Sequence, residues 1–95
     1  MKRERIQLGT SQITGYRIDL GNAPLLILQA KKGYVMCGYL NMSTANKLGD
    51  FAGKVTGVRT FQDILNAKVI EVSENAKKEG LNEGMNAKDF LIKLL

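Results

Sequence analysis

Turn signals divide the first 41 residues into short runs with the composition and alternation of β-strands. The breaks fall at Gly9-Thr10-Ser11, at Gly21-Asn22 and at Lys31-Lys32-Gly33, and these residue types favour tight turns. Gly21-Asn22 is typical of a two-residue hairpin turn that begins with Gly, and the third break fits a three-residue loop with Gly33 in the left-handed conformation. The pattern predicts an antiparallel β-meander over residues 1–41.

The pairing at the second turn decides which side chains share a face. If Leu20 faces Ala23, then Pro24 opposes Asp19, where its missing N–H breaks no bond to that strand. In the register we expect, one face carries seven apolar or aromatic side chains: Tyr16, Ile18, Leu25, Ile27, Val35, Cys37 and Tyr39. The other face carries six: Ile13, Leu26, Leu28, Ala30, Met36 and Leu40. Both faces are apolar, so both need a cover.

The helices of one small domain can cover one face of this sheet, and we expect the other face to meet a second chain. The chain has 95 residues and one cysteine, so it forms a single small domain without an internal disulfide. The sequence contains no metal-ligand cluster and no cofactor motif, which leaves oligomerisation as the remaining stabilising device. We therefore expect homo-oligomerisation through residues 1–41.

Residues 42–95 have the pattern of an α/β region. Helices are predicted over 43–52, with Ser43 as its cap, and after the caps at Thr60, Ser73 and Asn86. Gly80 ends the third of these helices. Short β-branched runs at 55–58 and 68–72 separate the first three helices. The fold class predicted is α+β: an antiparallel β-meander followed by β-α-β-α-α elements, with a mixed sheet and helices on one face.

Composition excludes several classes of protein. No apolar run approaches the roughly 18 residues of a membrane span, and none resembles a signal peptide. A lone thiol suits a reducing compartment, so we expect a cytoplasmic protein without membrane contact. The chain has no histidine, and it therefore lacks the usual proton shuttle near neutral pH.

Cys37 is the first candidate for chemistry. It lies in the segment Tyr34–Leu40, and a catalytic thiol there needs a cationic neighbour, a helix N-terminus or a base. One hypothesis is a small cysteine-dependent enzyme in which Cys37 acts with Asn41 and Asp50 at a subunit interface. The competing interpretation is that Cys37 is a packed apolar residue.

The loop before the second predicted helix is the candidate ligand site. Thr56, Gly57, Arg59 and Thr60 lie where a strand passes into a capped helix, and free backbone N–H groups at such a point favour anions. The guanidinium of Arg59 adds a positive charge with several N–H donors for an anion. The competing interpretation is an ordinary capped turn, since the chain has neither the phosphate-loop pattern nor the three-glycine dinucleotide pattern.

Basic residues concentrate near the start of the chain. The net charge is +5, and residues 1–32 carry six Lys or Arg against two acidic residues. Such a charge attracts phosphates, so a nucleic-acid accessory protein is a third hypothesis. The residues it would use are Lys2, Arg3, Arg5, Lys31 and Lys32. No recognised module of basic and aromatic residues accompanies them, which disfavours this hypothesis.

Several motifs resemble one family across nearly the whole chain. They are Ala23-Pro24-Leu25-Leu26, Lys32-Gly33-Tyr34-Val35-Met36-Cys37-Gly38-Tyr39-Leu40, Leu48-Gly49-Asp50, Val55-Thr56-Gly57-Val58, Asp63-Ile64-Leu65 and the tail Ser73 to Ala76 with Gly84-Met85. The chain resembles the YunC-like family of small bacterial and archaeal domains of unknown function. The resemblance implies a tetramer formed through the N-terminal sheet region, and it implies no particular reaction.

The interpretation we carry forward is a cytoplasmic α+β domain that self-associates through its N-terminal sheet and binds a small anionic ligand, without an assigned reaction. The cysteine-dependent enzyme and the nucleic-acid accessory protein are the two alternatives.

Overall fold

The computed structural model describes all 95 residues, Met1 to Leu95. It contains a six-stranded sheet and four short helices. The strands are β1 (Lys2–Leu8), β2 (Ser11–Asp19), β3 (Pro24–Gln29), β4 (Tyr34–Met36), β5 (Ala52–Lys54) and β6 (Glu71–Val72). The helices are α1 (Met42–Leu48), α2 (Phe61–Asn66), α3 (Glu74–Lys78) and α4 (Ala87–Ile92). None of the four is long and apolar enough to cross a membrane.

The strands lie in the sheet in their order along the chain, β1 to β6. Strands β1 to β4 are antiparallel, which confirms the predicted meander. Strands β4 and β5 are parallel, and β5 and β6 are antiparallel. A parallel pair needs a connection of about a dozen residues or more, and residues 37–51, which contain α1, supply it. The α+β class and the mixed sheet are confirmed.

The register at the first two turns follows the sequence. Leu8 pairs with Ser11 across a two-residue turn in which Gly9 has a φ of 61°. Pro24 pairs with Asp19, as its missing N–H predicts. The hairpin predicted at Gly21-Asn22 is present, since β2 and β3 pair across it. Its turn differs from the type that begins with a left-handed Gly, because the φ of Gly21 is not positive.

The predicted register between β3 and β4 is wrong by one residue. Gln29 pairs with Tyr34, and Ala30 N donates to Gly33 O at 2.8 Å, so the loop has four residues rather than three. Gly33 is not left-handed. A shift of one residue moves every side chain to the opposite face. Val35 and Cys37 therefore join the main core, and Met36 points to the other side.

The second half departs from the predicted boundaries while keeping its element types. The cap of α1 is Asn41, whose side chain accepts a hydrogen bond from Thr44 N, and not Ser43. The strand expected at 55–58 lies earlier, at β5, and the strand expected at 68–72 is reduced to β6.

Strand β4 ends at Met36 because Cys37 begins a turn, in which Leu40 N donates to Cys37 O at 3.2 Å. The caps at Thr60, Ser73 and Asn86 are confirmed, each with a side-chain hydrogen bond to its helix: Thr60 to Asp63 N, Ser73 to Ala76 N and Asn86 to Lys88 N.

Two apolar clusters lie on opposite sides of the sheet. Helices α2 and α4 pack on one side of the sheet. The ring of Phe61 in α2 lies against Gly15 of β2, and the ring of Phe90 in α4 lies against Gly53 of β5. The main cluster fills this side and has 19 buried residues, among them Leu26, Leu28 and Val35. On the other side α1 covers β4 and β5, with a small cluster of four buried residues: Met36, Met42, Ala45 and Ala52.

Candidate functional site

One face of the N-terminal sheet has no helix over it. Side chains alternate between the two faces of a strand, so the neighbours of buried Ile13, Leu26 and Leu28 point away from the main core. Four of these outward side chains are apolar or aromatic and only partly buried: Tyr16, Ile18, Leu25 and Ile27. Leu25 also touches the main cluster. Because α1 lies beside these residues, over β4 and β5, the four form a surface that we call the open face.

Polar groups border the open face on the β1 side. Arg3 pairs with Tyr16 and Arg5 pairs with Thr14 across the β1–β2 ladder. These four residues line a shallow depression of about 270 Å³. The Tyr16 hydroxyl donates to Gln29 Oε1 at 3.1 Å, which fixes the ring across β2 and β3. The β1 side of the open face is therefore basic.

The opposite border of the open face carries an acidic group. The Tyr34 hydroxyl donates to Asp50 Oδ2 at 2.7 Å. Burial first, and then the hydrogen bond and the charge of Asp50, raise the pKa of Tyr34 to about 12. No Lys or Arg nitrogen lies within 4.0 Å of the Asp50 carboxylate, since Lys54 pairs instead with Glu71. Asp50 is thus a half-buried carboxylate without an ion-pair partner in its own chain.

A cleft brings two of the predicted sites together. Its volume is about 310 Å³, and Cys37 lies in its wall with Gly57 and Arg59. The other lining residues are Ala23, Pro24, Gly38, Tyr39 and Val58. Hydrogen bonds from the Tyr39 hydroxyl to Ala23 O at 3.1 Å and from Arg59 Nη1 to Asn22 O at 3.2 Å connect its walls. We call this the Cys37–Arg59 cleft.

Cys37 is held in place by β3. Its Sγ accepts a hydrogen bond from Leu26 N at 3.3 Å, and its own N–H donates to Leu26 O at 3.1 Å. Only 3% of the residue is exposed. The structure does not bring Asn41 or Asp50 into the cleft, because Asn41 caps α1 and Asp50 accepts from Tyr34. The predicted catalytic trio is therefore spread over separate places.

The predicted anion loop is divided in the structure. Gly57, with a φ of 71°, and Arg59 line the cleft, whereas Thr56 and Thr60 do not. The N–H groups of Arg59 and Thr60 both donate to Asp63 Oδ2, at 3.0 and 3.2 Å. Asp63 N in turn donates to Thr60 Oγ1 at 3.0 Å. Two of the N–H groups expected to bind an anion are thus occupied by a carboxylate of the chain itself.

The remaining charged candidates are not gathered into one group. Arg3 and Arg5 border the open face, Lys2 alternates with them on β1, and Lys31 and Lys32 lie in the β3–β4 loop. No group of three or more His, Cys, Asp or Glu side chains is placed to hold a metal ion.

Two structural contacts were not anticipated from the sequence. Fully buried Ser73 donates to Asp50 O at 2.8 Å and accepts from Ala52 N at 2.9 Å, so it ties the start of α3 to the start of β5 besides capping α3. The local pattern indicates the cap alone. The Tyr34–Asp50 bond joins residues sixteen apart, and no local signal predicts it.

Comparison with known proteins gives relatives without an assigned activity. A family described as a domain of unknown function (DUF1805) matches residues 36–94, which excludes β1 to β3. The uncharacterized protein YunC of Bacillus subtilis (strain 168) is 28% identical over 94 residues, covering 95% of this chain and 93% of YunC. A crystal structure of a protein of unknown function, TA1206 from Thermoplasma acidophilum, superposes with a TM-score of 0.94 at 47% identity. That match covers 99% of this chain and 92% of TA1206.

Proposed function

The chain belongs to the DUF1805 family of domains of unknown function, and from that premise we propose that it is a homo-oligomeric domain that assembles through its open face. The observation that carries the proposal is the set of four partly buried side chains, Tyr16, Ile18, Leu25 and Ile27, that no helix covers. We include a cytoplasmic location, because a single cysteine forms no internal disulfide.

The energetic reason is the apolar area left in contact with water. Fully burying a side chain of this size is worth about 1.5–3 kcal/mol, so covering the part of these four side chains that is still exposed is favourable. Contiguous apolar patches rimmed by polar groups are typical of protein interaction sites. Arg3 and Arg5 on one side and Asp50 on the other supply such a rim.

The expected number of copies is four. This number comes from the family resemblance and not from the surface itself. A tetramer with two-fold axes needs two different self-complementary surfaces, and the open face supplies one of them.

A matched pair of variants tests the proposal. In size-exclusion chromatography with light scattering at micromolar concentration, we expect the wild-type chain to elute as an oligomer. Ile27→Glu puts a charge into the open face and should shift the mass towards a single copy. The control Ile70→Glu makes the same change at an exposed residue, 50% accessible, away from that face, and should keep the wild-type mass.

Circular dichroism spectra establish that the variants are folded. If Ile27→Glu loses its fold, Ile18→Glu provides a second substitution on the same face. A wild-type chain that elutes as a single copy, or an oligomer that survives both open-face substitutions in folded protein, would contradict the proposal.

The second candidate function is the binding of a small anionic ligand in the Cys37–Arg59 cleft. The observation that favours it is the position of Arg59 beside the apolar walls formed by Pro24, Tyr39 and Val58. Its guanidinium has five N–H donors, and only Nη1 donates a hydrogen bond within the chain, to Asn22 O. The cleft's volume of about 310 Å³ suits a small molecule with one anionic group and a short apolar body.

Amide NMR shifts provide the test of this ligand site. Inorganic phosphate and benzoate, added separately, represent an anion without and with an apolar body. We expect benzoate to shift the amides of Gly38 and Gly57 in the wild type and in the control variant Arg3→Ala. Arg59→Ala should abolish the shift. The absence of a shift at Gly57 with either compound would contradict an anion site here.

The cysteine-dependent enzyme and the nucleic-acid accessory protein stay predictions of the sequence. No contact described above favours either of them over assembly through the open face.

A further inference from the structure

Opposite charges lie at the two borders of the open face, in the same cross-strand row. Arg5 pairs with Thr14, Thr14 with Gln29, and Gln29 with Tyr34. The hydroxyl of Tyr34 holds Asp50 at 2.7 Å. One row of the sheet therefore runs from a guanidinium on β1 to a carboxylate beside β4.

Neither charge has an ion-pair partner within 4.0 Å in the chain, although Lys31 and Lys32 line the same depression as Asp50. The three ion pairs of the structure are elsewhere: Arg17–Asp19, Lys54–Glu71 and Lys77–Glu83. Arg5 and Asp50 cannot reach each other in one copy, because three strand spacings of about 4.8 Å separate β1 from β4. A half-buried carboxylate that accepts one phenol hydrogen bond still has acceptor positions to fill.

A second copy can satisfy both borders at once. Consider a two-fold axis that lies between the two sheets and runs parallel to β2. Each cross-strand row of one copy then lies over the same row of the other copy. The strands of the second copy follow in the opposite order across the interface. This arrangement lays β1 of one copy over β3 of the other, so that Arg5 lies next to Tyr34 and Asp50 of the partner subunit. The same contact occurs twice, as a self-complementary interface requires.

The position of α1 favours this arrangement over a direct stack of β1 on β4. Helix α1 occupies the same side of the sheet as the open face, with Met42 packed in the cluster that contains Met36. A partner sheet therefore has room over β1 to β3 and ends at the flank of α1. Because α1 already covers β4, β1 of the partner subunit lies over β3 instead. It is then the partner strand nearest to α1 and to Asp50.

We infer that two copies dock open face to open face about a two-fold axis along β2, and that Arg5 of each copy forms an ion pair with Asp50 of the partner subunit. This inference rests on the proposed self-association, and it adds the orientation of the partner and the residues that set it. Charged borders of this kind fix register and exclude wrong orientations.

Charge reversal with rescue tests the pair. Arg5→Glu and Asp50→Lys are made singly and together, and the dissociation constant of the oligomer is measured by dilution. We expect each single variant to weaken assembly about tenfold or more, because it places like charges together. The double variant restores the pair with reversed signs and should return close to the wild-type constant.

Two further variants control for position and for folding. Lys2→Glu makes the same type of charge change on β1 but at a residue that alternates with Arg5, and it should leave the constant unchanged. Asp50→Lys removes the acceptor of the Tyr34 hydroxyl, so its thermal unfolding is measured as well. If it does not fold, Asp50→Asn and Arg5→Gln replace the reversals, and their effects should be non-additive because each already removes the same ion pair.

The outcomes separate this inference from the proposed function. A wild-type chain that is monomeric at every concentration overturns both. An oligomer that is unaffected by the single variants overturns the orientation inferred here and leaves assembly through the open face standing. A double reversal that is no tighter than the single ones overturns the Arg5–Asp50 pair.

Discussion

At Tyr34, burial and a neighbouring negative charge both raise the pKa of the phenol hydroxyl. The ring of Tyr34 packs against the small cluster under α1, and its hydroxyl donates to Asp50 Oδ2. Both the low exposure of the phenol and the neighbouring carboxylate disfavour the phenolate, since a second negative charge would face the first. The pKa is raised from 10.0 to about 12, with burial as the largest cause.

Tyr34 therefore gives the fold a defined dependence on alkaline pH. The unfolded tyrosine loses its proton near pH 10.0, whereas the folded one keeps it up to about 12. Stability from this group is complete below pH 10 and falls as the pH rises through that window. In an alkaline titration followed by phenolate absorbance, the wild type should show one tyrosine that ionises near pH 12. Tyr34→Phe should lack this transition. Asp50→Asn should move it part of the way back, and an unchanged transition would contradict the role of Asp50.

Gly33 is required by a close approach and not by a turn conformation. A Cβ at this position would overlap the Phe51 carbonyl oxygen and lie 2.8 Å from Phe51 Cβ. Gly33→Ala should destabilise the fold by about 3 kcal/mol, the upper end of overpacking effects. At Gly21 an added Cβ meets nothing within 4 Å, so Gly21→Ala should stay within about 0.5 kcal/mol. Urea unfolding measures both, and equal values would contradict the packing at Gly33.

At the scale of elements, two residues are candidates for the N-cap of α1, Asn41 from the structure and Ser43 from the sequence pattern. Asn41 Oδ1 accepts from Thr44 N at 3.3 Å, which places the cap two residues before Ser43. Asn41→Ala should lower the free energy of unfolding by about 1 kcal/mol. Ser43→Ala should change it by less than about 0.5 kcal/mol. Denaturant titration of the two variants decides the point, and a larger loss at Ser43 would contradict the structure.

The elements that could be predicted from sequence are those fixed by local chemistry. Thr60, Ser73 and Asn86 begin helices because a side-chain oxygen and a nearby N–H are enough to form a cap. Pro24 fixed its register with Asp19 through its own missing donor. These signals need no information from distant parts of the chain.

The elements that were missed depend on contacts between distant residues. The β3–β4 register is set where Gly33 packs on Phe51 and Tyr34 N donates to Phe51 O at 3.0 Å. Strand β5 lies earlier than predicted because its parallel partner β4 decides which residues form the ladder. The candidate site shows the same division. Cys37 and Arg59 meet in one cleft through tertiary packing. Asn41 makes a local cap elsewhere, and Asp50 accepts from Tyr34, which is sixteen residues away.

At the scale of the whole molecule, the two sides of the sheet are covered unequally. Helices α2 and α4 pack on one side, over the main cluster of 19 buried residues. On the other side α1 closes only β4 and β5, and the open face of β1 to β3 is left. In the proposed assembly, a second copy would continue the layer that α1 begins, and the N-terminal meander would form the interface.

Sedimentation equilibrium of the wild-type chain alone tests this role most directly. One copy has a mass of 10.5 kDa. Assembly through the open face predicts a mass of at least twice that value at micromolar concentration, falling towards one copy on dilution or on raising the salt concentration, since the charged borders are screened. A mass of 10.5 kDa that does not change across the concentration range would contradict it.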